Sequence, residues 1–156
     1  MGNPSYDGRD IPLNNIESLI EREIIVDNKT YNITTVLMGV PHTIIFEEDR
    51  EYNIVEEGSK IEKLDLFKEG SNVNFVKIID ETHIRVNTWE RGAGATLACG
   101  TGCSAAVVVA KKLGLVDKEK EIFVKAPGGE LIIEVFAEDV YMKGPAEVSF
   151  EGKTFL

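Results

Sequence analysis

Most side chains able to do chemistry fall in one stretch, Trp89-Glu90-Arg91-Gly92-Ala93-Gly94-Ala95-Thr96-Leu97-Ala98-Cys99-Gly100-Thr101-Gly102-Cys103-Ser104. Its glycines at 92, 94, 100 and 102 let backbone amides turn inward, and such amides at a helix N-terminus bind anions. Cys99 falls just ahead of an expected helix, where the dipole and free amides should lower a thiol pKa. The plainer reading of a free cysteine is a small buried filler. Cys103, one turn further in, is read as core packing. Glu90-Arg91 places an acid beside a base, suited to a ligand's ammonium and carboxylate or simply to a surface pair. Asn72 either caps a turn or binds, and His42 is either a satisfied structural group or part of a site. His83 opens a strand and carries no signal. The two cysteines and two distant histidines make no recognised metal spacing. A dinucleotide fingerprint would need glycine where Leu97 stands, and Gly152-Lys153-Thr154 lacks the earlier glycine of a phosphate loop, Glu147 occupying that place.

Elements that could position these residues follow from the apolar pattern. Thr101–Leu113 is apolar on every side through Ser104–Ala110, ends in Lys111-Lys112 and stops at Gly114, which predicts a helix that must be surrounded. Strand-like runs flank it: Glu23–Val26, Thr30–Met38, Thr43–Glu47, Val73–Ile79 and His83–Trp89 before, Ile122–Lys125, Glu130–Phe136 and Asp139–Lys143 after. A turn is expected at Gly39-Val40-Pro41 and a solvated turn at Glu47–Glu51. Asn14-Asn15 with Ile16, Leu19 and Ile20 predicts a short capped helix, and Ile61, Leu64, Asp65 and Phe67 predict another. The expected architecture is α+β, mostly antiparallel strands wrapped around one central buried helix.

The chain has 156 residues, with 27 Asp+Glu against 17 Lys+Arg for a net charge of −10. That is one domain of ordinary globular composition. The acidic balance gives no field to collect phosphates, so nucleic acid is not an expected partner. No apolar run reaches the roughly 18 residues of a membrane helix, and the opening residues lack the features of a signal peptide, so a cytoplasmic protein is expected. No structural disulfide is expected from two thiols four apart.

Taken in order, Gly39-Val40-Pro41-His42, Ser71-Asn72-Val73-Asn74-Phe75, Glu90-Arg91-Gly92-Ala93-Gly94, Ala98-Cys99-Gly100-Thr101-Gly102 and Ala126-Pro127-Gly128-Gly129 closely resemble the C-terminal half of diaminopimelate epimerases. The resemblance implies that residues 1–12 are a remnant of the N-terminal half and linker and residues 13–156 the C-terminal domain. It implies a cofactor-independent isomerase that interconverts LL- and meso-diaminopimelate, in lysine and peptidoglycan-precursor synthesis, with two cysteines on opposite faces of the substrate. Cys99 matches one of them. Asn72, Glu90, Arg91, Gly100 and Thr101 match substrate-binding positions, and His42 and Glu90 match groups that tune thiol protonation. Val40 stands where many members carry a substrate-binding asparagine, and Ala95 where a glutamate is frequent. The other catalytic cysteine has no counterpart among these residues.

Cys103 cannot replace it, because four residues along a helix is about 6 Å on the same side. The chain alone is therefore expected to be inactive. Expected partners are a small amino-acid substrate and the other half of the enzyme, with homodimerisation a further option. The alternatives are another isomerase of the same architecture, proline-racemase-like or phenazine-pathway-like, a thiol hydrolase built on Cys99 and His42, and a non-catalytic ligand-binding module.

Overall fold

The computed structural model describes residues 1–47 and 50–155. Among the described residues, two helices separate three groups of three strands: β1 (Arg22–Val26), β2 (Lys29–Met38), β3 (Val40–Phe46), α1 (Ile54–Ile61), β4 (Asn72–Ile78), β5 (His83–Glu90), β6 (Gly94–Thr96), α2 (Gly100–Leu113), β7 (Ile122–Ala126), β8 (Gly129–Phe136) and β9 (Asp139–Lys143). They form one sheet in the order β1-β2-β3-β4-β5-β7-β8-β9, with β6 folded back on β5. Most neighbours are antiparallel, as hairpin spacing predicts. The pairs β3–β4 and β5–β7 are parallel, each joined by a crossover that contains a helix. Only a long crossover can join parallel neighbours, so the sheet is mixed and not a chain of hairpins.

The two-residue period of the strands sorts side chains onto two faces. Val36, Met38, Ile44, Val76, Ile84 and Val86 pack with α2, while Ile33, Ile45, Val73 and Phe75 pack on the opposite side with Ile61 of α1 and with Ile11, Leu13, Leu19 and Phe67. Gly102 to Lys111 of α2 are all buried, and the helix touches β2, β3, β4, β5, β7, β8 and β9. It ends where Gly114 takes a left-handed φ of 73° and returns its N–H to the Ala110 and Lys111 carbonyls. Among the described residues, no helix is long and apolar enough to cross a membrane.

Three local expectations are corrected. The helix expected over Asn14–Ile20 does not form. Asn15 sits at φ 56°, Leu13 bridges to Phe67, and the Leu19 carbonyl accepts from Thr35 N at 2.7 Å, so this segment lies along the sheet and buries Leu13 and Leu19 while Ile20 stays exposed. The second short helix lies earlier than expected, at Ile54–Ile61. Asn53 caps it by accepting from Glu56 N, Glu56 and Glu57 favour its first turn, and Leu64–Phe67 fall in the turns after it. The expected break at Val40-Pro41 is instead the start of β3, the turn being confined to Gly39. The expected turn at Glu47–Glu51 includes Glu48 and Asp49, which lie outside the described residues.

Phe75, next after Asn74 on β4, is fully buried on the face of the sheet opposite α2. Phe75→Ala should lower the stability of the chain by roughly 3–5 kcal/mol, read from the urea midpoint at constant slope; a loss below 1 kcal/mol would mean that this face does not hold β4 in place.

Candidate active site

The face that packs on α2 turns polar at one end. His42 on β3 is in register with Asn72 on β4, Asn74 on β4 with Thr88 on β5, and Glu90 follows two residues after Thr88. These residues share the face that carries Ile44, Val76 and Val86, by the same alternation. The N-terminus of α2 comes down on this polar end.

Cys99 is the N-cap of α2, extended at φ −127° and ψ 106°. Its Sγ accepts from Gly102 N at 3.3 Å and lies 3.4 Å from Thr101 Oγ1, while its carbonyl takes the Cys103 amide. The amides of Gly100 and Thr101 have no protein acceptor among the described residues, leaving two donors at the positive end of the helix. A side chain on Gly102 would run into Asn74 Oδ1, and would come within 3.2 Å of both Cys99 Sγ and Thr88 Oγ1. That glycine is required for space, and it puts sulfur, amide oxygen and hydroxyl around one α-carbon.

The thiol does not behave as its address alone predicts. Burial raises the Cys99 pKa, the hydrogen bonds from Thr101 and Gly102 lower it, and the Glu90 carboxylate raises it again, for a net shift upward. The dipole is present, but with Cys99 only 7% exposed and a carboxylate beside it, desolvation wins. The resting form is the protonated thiol. Cys103 is fully buried with its thiol pushed up to about 12, as a packing role requires.

Asn72 Oδ1 accepts from the Arg91 amide at 2.8 Å, which ties β4 to the start of the glycine loop. The Arg91 guanidinium donates through Nη1 to the Glu69 carbonyl at 2.6 Å, and its Nε and Nη2 have no protein partner among the described residues. A side chain added at Gly39 would come within 4.0 Å of Thr101 Cγ2, and Val40 next to it is 37% exposed. Ala95 lies on β6, paired with Trp89. His42, Asn72, Glu90, Cys99, Gly100 and Thr101 are thus gathered at one end of the sheet, with Arg91 held at its edge.

His42 is fully buried and burial pushes its pKa down to about 4, so it is neutral. Its Nδ1 lies 3.2 Å from Asn74 Nδ2, and Asn74 Oδ1 accepts from Thr88 Oγ1 at 2.9 Å. No hydrogen bond joins His42 to Cys99, so the dyad of a thiol hydrolase is not formed. His83 sits apart, bonded to Asp80 and stacked on Phe123. Asn74 and Thr88 are the residues that the sequence reading missed. The available signal was two asparagines at a spacing of two within an otherwise apolar strand.

Two clefts, of about 630 Å³ by Asp7, Arg9 and Lys68 and about 680 Å³ between Tyr6 and Lys111, lie away from this cluster. Among the apolar side chains that remain exposed are Val40, Leu97 and Met142, the last packed close to Gly100.

Residues 34–149 match the family model described as diaminopimelate epimerase. The chain is 51% identical over its whole length to the diaminopimelate epimerase of Clostridium perfringens and covers 56% of that protein. It is 48% identical over 94% of its length to the one from Alkaliphilus metalliredigens, covering 52% of it. The chain therefore spans about half the length of the curated relatives it matches. Among solved structures, a probable proline racemase from Agrobacterium radiobacter aligns over 74% of this chain and 41% of that one, with a TM-score of 0.55 and 14% identity. A hydroxyproline epimerase from Agrobacterium vitis aligns over 79% and 44%, with a TM-score of 0.54 and 14% identity. At such identities the likeness is one of fold.

Two outcomes test this geometry. Gly102→Ala should destabilise the chain by about 1–3 kcal/mol through overpacking; an unchanged melting midpoint would show that α2 does not rest on Asn74 and Thr88 as described. The buried His42 also makes stability depend on pH. The unfolded chain takes up a proton near pH 6.5, whereas the folded chain takes it up near 4. The contribution of His42 is thus complete above pH 6.5 and declines as pH falls through that interval, reaching a loss of about 3 kcal/mol at its foot. Urea midpoints at pH 7 and pH 4.5 should differ less for His42→Gln than for the parent, and equal differences would assign the acid sensitivity to other groups.

Proposed function

The chain belongs to the diaminopimelate epimerase family, and on that premise we propose that it supplies the Cys99 half of an active site that inverts the α-carbon of diaminopimelate. Residues 13–156 are the catalytic domain on this reading, with the sheet curled around α2 as its central helix. Residues 1–12 are the remnant and linker that lead in from the other half. Their backbone already follows this domain, Ser5 bridging to Leu37 and the Met1 amine reaching the Val140 carbonyl.

The observation that carries the reading is Cys99 at the cap of a buried helix, beside Glu90, with the next two amides unengaged. An α-carboxylate seated on the Gly100 and Thr101 amides would meet the positive end of α2, and the free Nε and Nη2 of Arg91 would complete its recognition. Asn72 fixes the backbone from which Arg91 extends. With the carboxylate held there, the α-carbon comes over Cys99. The raised thiol pKa suits the role of proton donor: Cys99 S–H delivers its proton to one face of the planar carbanion, and Glu90 tunes how readily it does so. In the reverse direction the Cys99 thiolate removes the α-proton. His42, like Glu90, tunes thiol protonation on this reading. No cofactor is called for, because the carboxylate clamp and two thiols supply both the charge stabilisation and the proton traffic.

Inversion needs an acid or base on each face. Cys103 is fully buried one turn deeper and cannot supply the second. The second thiol therefore comes from residues outside this chain, and the exposed apolar side chains of Val40, Leu97 and Met142 are part of the surface that the other half covers. A cytoplasmic enzyme of lysine and peptidoglycan-precursor synthesis, acting on a small amino acid, follows from this reading.

The test follows α-proton exchange of diaminopimelate in deuterated water. This chain alone should give none. With the N-terminal half of a relative added, or fused ahead of Met1, exchange and inversion should appear, and Cys99→Ser should reduce them by at least about 100-fold. Turnover by the unaided chain, no exchange with either form of the second half, or full activity of Cys99→Ser would each overturn the assignment.

A further inference from the structure

Asn74 touches both halves of the polar cluster, and its amide orientation is fixed by its neighbours. On one side stands the Thr43 carbonyl, 3.4 Å from Nδ2, a group that can only accept. On the other, Oδ1 takes the Thr88 hydroxyl at 2.9 Å and lies against Gly102. Reversing the amide would set its oxygen against the Thr43 carbonyl, so the NH₂ group is the end that faces His42 Nδ1 at 3.2 Å. An amide NH₂ has no lone pair to offer. His42 Nδ1 must therefore be the unprotonated nitrogen, and in a neutral imidazole the single proton is then on Nε2.

We infer that Asn74 is a positioning residue that locks His42 in its Nε2–H tautomer, making the histidine a hydrogen-bond donor through Nε2 and not a base there. The other tautomer would set two donors head to head in a place closed to water. Nε2 is buried and has no partner among the described residues, so the proton that Asn74 directs there is a donor still lacking its acceptor. Burial also keeps the ring neutral, so protonation on both nitrogens does not compete near neutral pH. The acceptor that fits is anionic and compact, a thiolate sulfur or a carboxylate oxygen. Only this last consequence rests on the epimerase reading: on it, His42 steadies the anionic group facing Nε2 by donating to it, and takes no proton from it.

Thr88 and Gly102 belong to the same device. The Thr88 hydroxyl holds the Asn74 oxygen, and the missing side chain at Gly102 leaves room for it, so the helix cap that carries Cys99 and the tautomer of His42 are set by one side chain.

The experiment is long-range ¹H–¹⁵N correlation of the imidazoles in the ¹⁵N-histidine-labelled chain, with His83→Gln to assign the two rings. At pH 7, Nδ1 of His42 should resonate as a pyridine-type nitrogen and Nε2 as a pyrrole-type nitrogen, unchanged down to pH 5. Asn74→Asp replaces the donor with an acceptor and should move the proton to Nδ1, and Asn74→Ala should leave a mixture of tautomers. A parent spectrum with the proton on Nδ1 would overturn the inference without any variant, as would Nε2–H persisting in both variants. Should a variant fail to fold, the parent spectrum still decides. Either result leaves the epimerase reading standing, because that reading is tested by α-proton exchange and not by the tautomer.

Discussion

The closeness with which the first turn of α2 can approach the sheet depends on a contact no larger than one missing methyl group. Gly102 rests on Asn74 Oδ1 and Thr88 Oγ1, and no side chain fits between them. From this approach come the position of Cys99 as helix cap, the direction of the Gly100 and Thr101 amides, and the burial of His42 behind Asn74. The buried length of α2, touched by strands from both ends of the sheet, supplies the rigidity that keeps the contact in place.

Two opposing effects act on the sulfur that this contact positions. A helix N-terminus favours a thiolate, and a low-dielectric site next to a carboxylate disfavours it. Here the second prevails and the thiol stays protonated at rest. The same dryness keeps His42 neutral. The thiol and the imidazole are thus both held uncharged, beside the Glu90 carboxylate and the positive end of α2.

The fold is built to present this cluster at an edge. The parallel pairings of β3 with β4 and of β5 with β7 place His42, Asn72 and Asn74 side by side, and bring α2 back across them. An all-hairpin meander would also pair β3 with β4, but it has no crossover to carry a helix across the sheet. His42, Asn72, Asn74 and Cys99 are themselves buried, and Val40, Leu97 and Met142 expose apolar side chains on the same domain.

The sequence by itself determined most of the kinds of element and part of the cluster. Alternation marked most of the strands, the all-round apolar run from Ser104 to Ala110 with Gly114 after it marked α2, and the glycine loop singled out Glu90, Arg91 and Cys99, because periodicity and turn chemistry are local properties. What it misjudged was decided by distant partners. Asn14–Ile20 has helical spacing yet lies along the sheet, because its backbone finds distant partners: the Asn14 amide donates to the Leu66 carbonyl and the Leu19 carbonyl accepts from the Thr35 amide. The thiol of Cys99 has a lowering dipole in its sequence and a raised pKa in its surroundings, because burial and the nearby Glu90 carboxylate arise only when strands and helix meet. The role of Asn74 was settled by tertiary structure alone. Its meaning lies in facing Thr43 and His42 from one strand, Thr88 from another and Gly102 from the helix, and no spacing along the chain encodes that meeting.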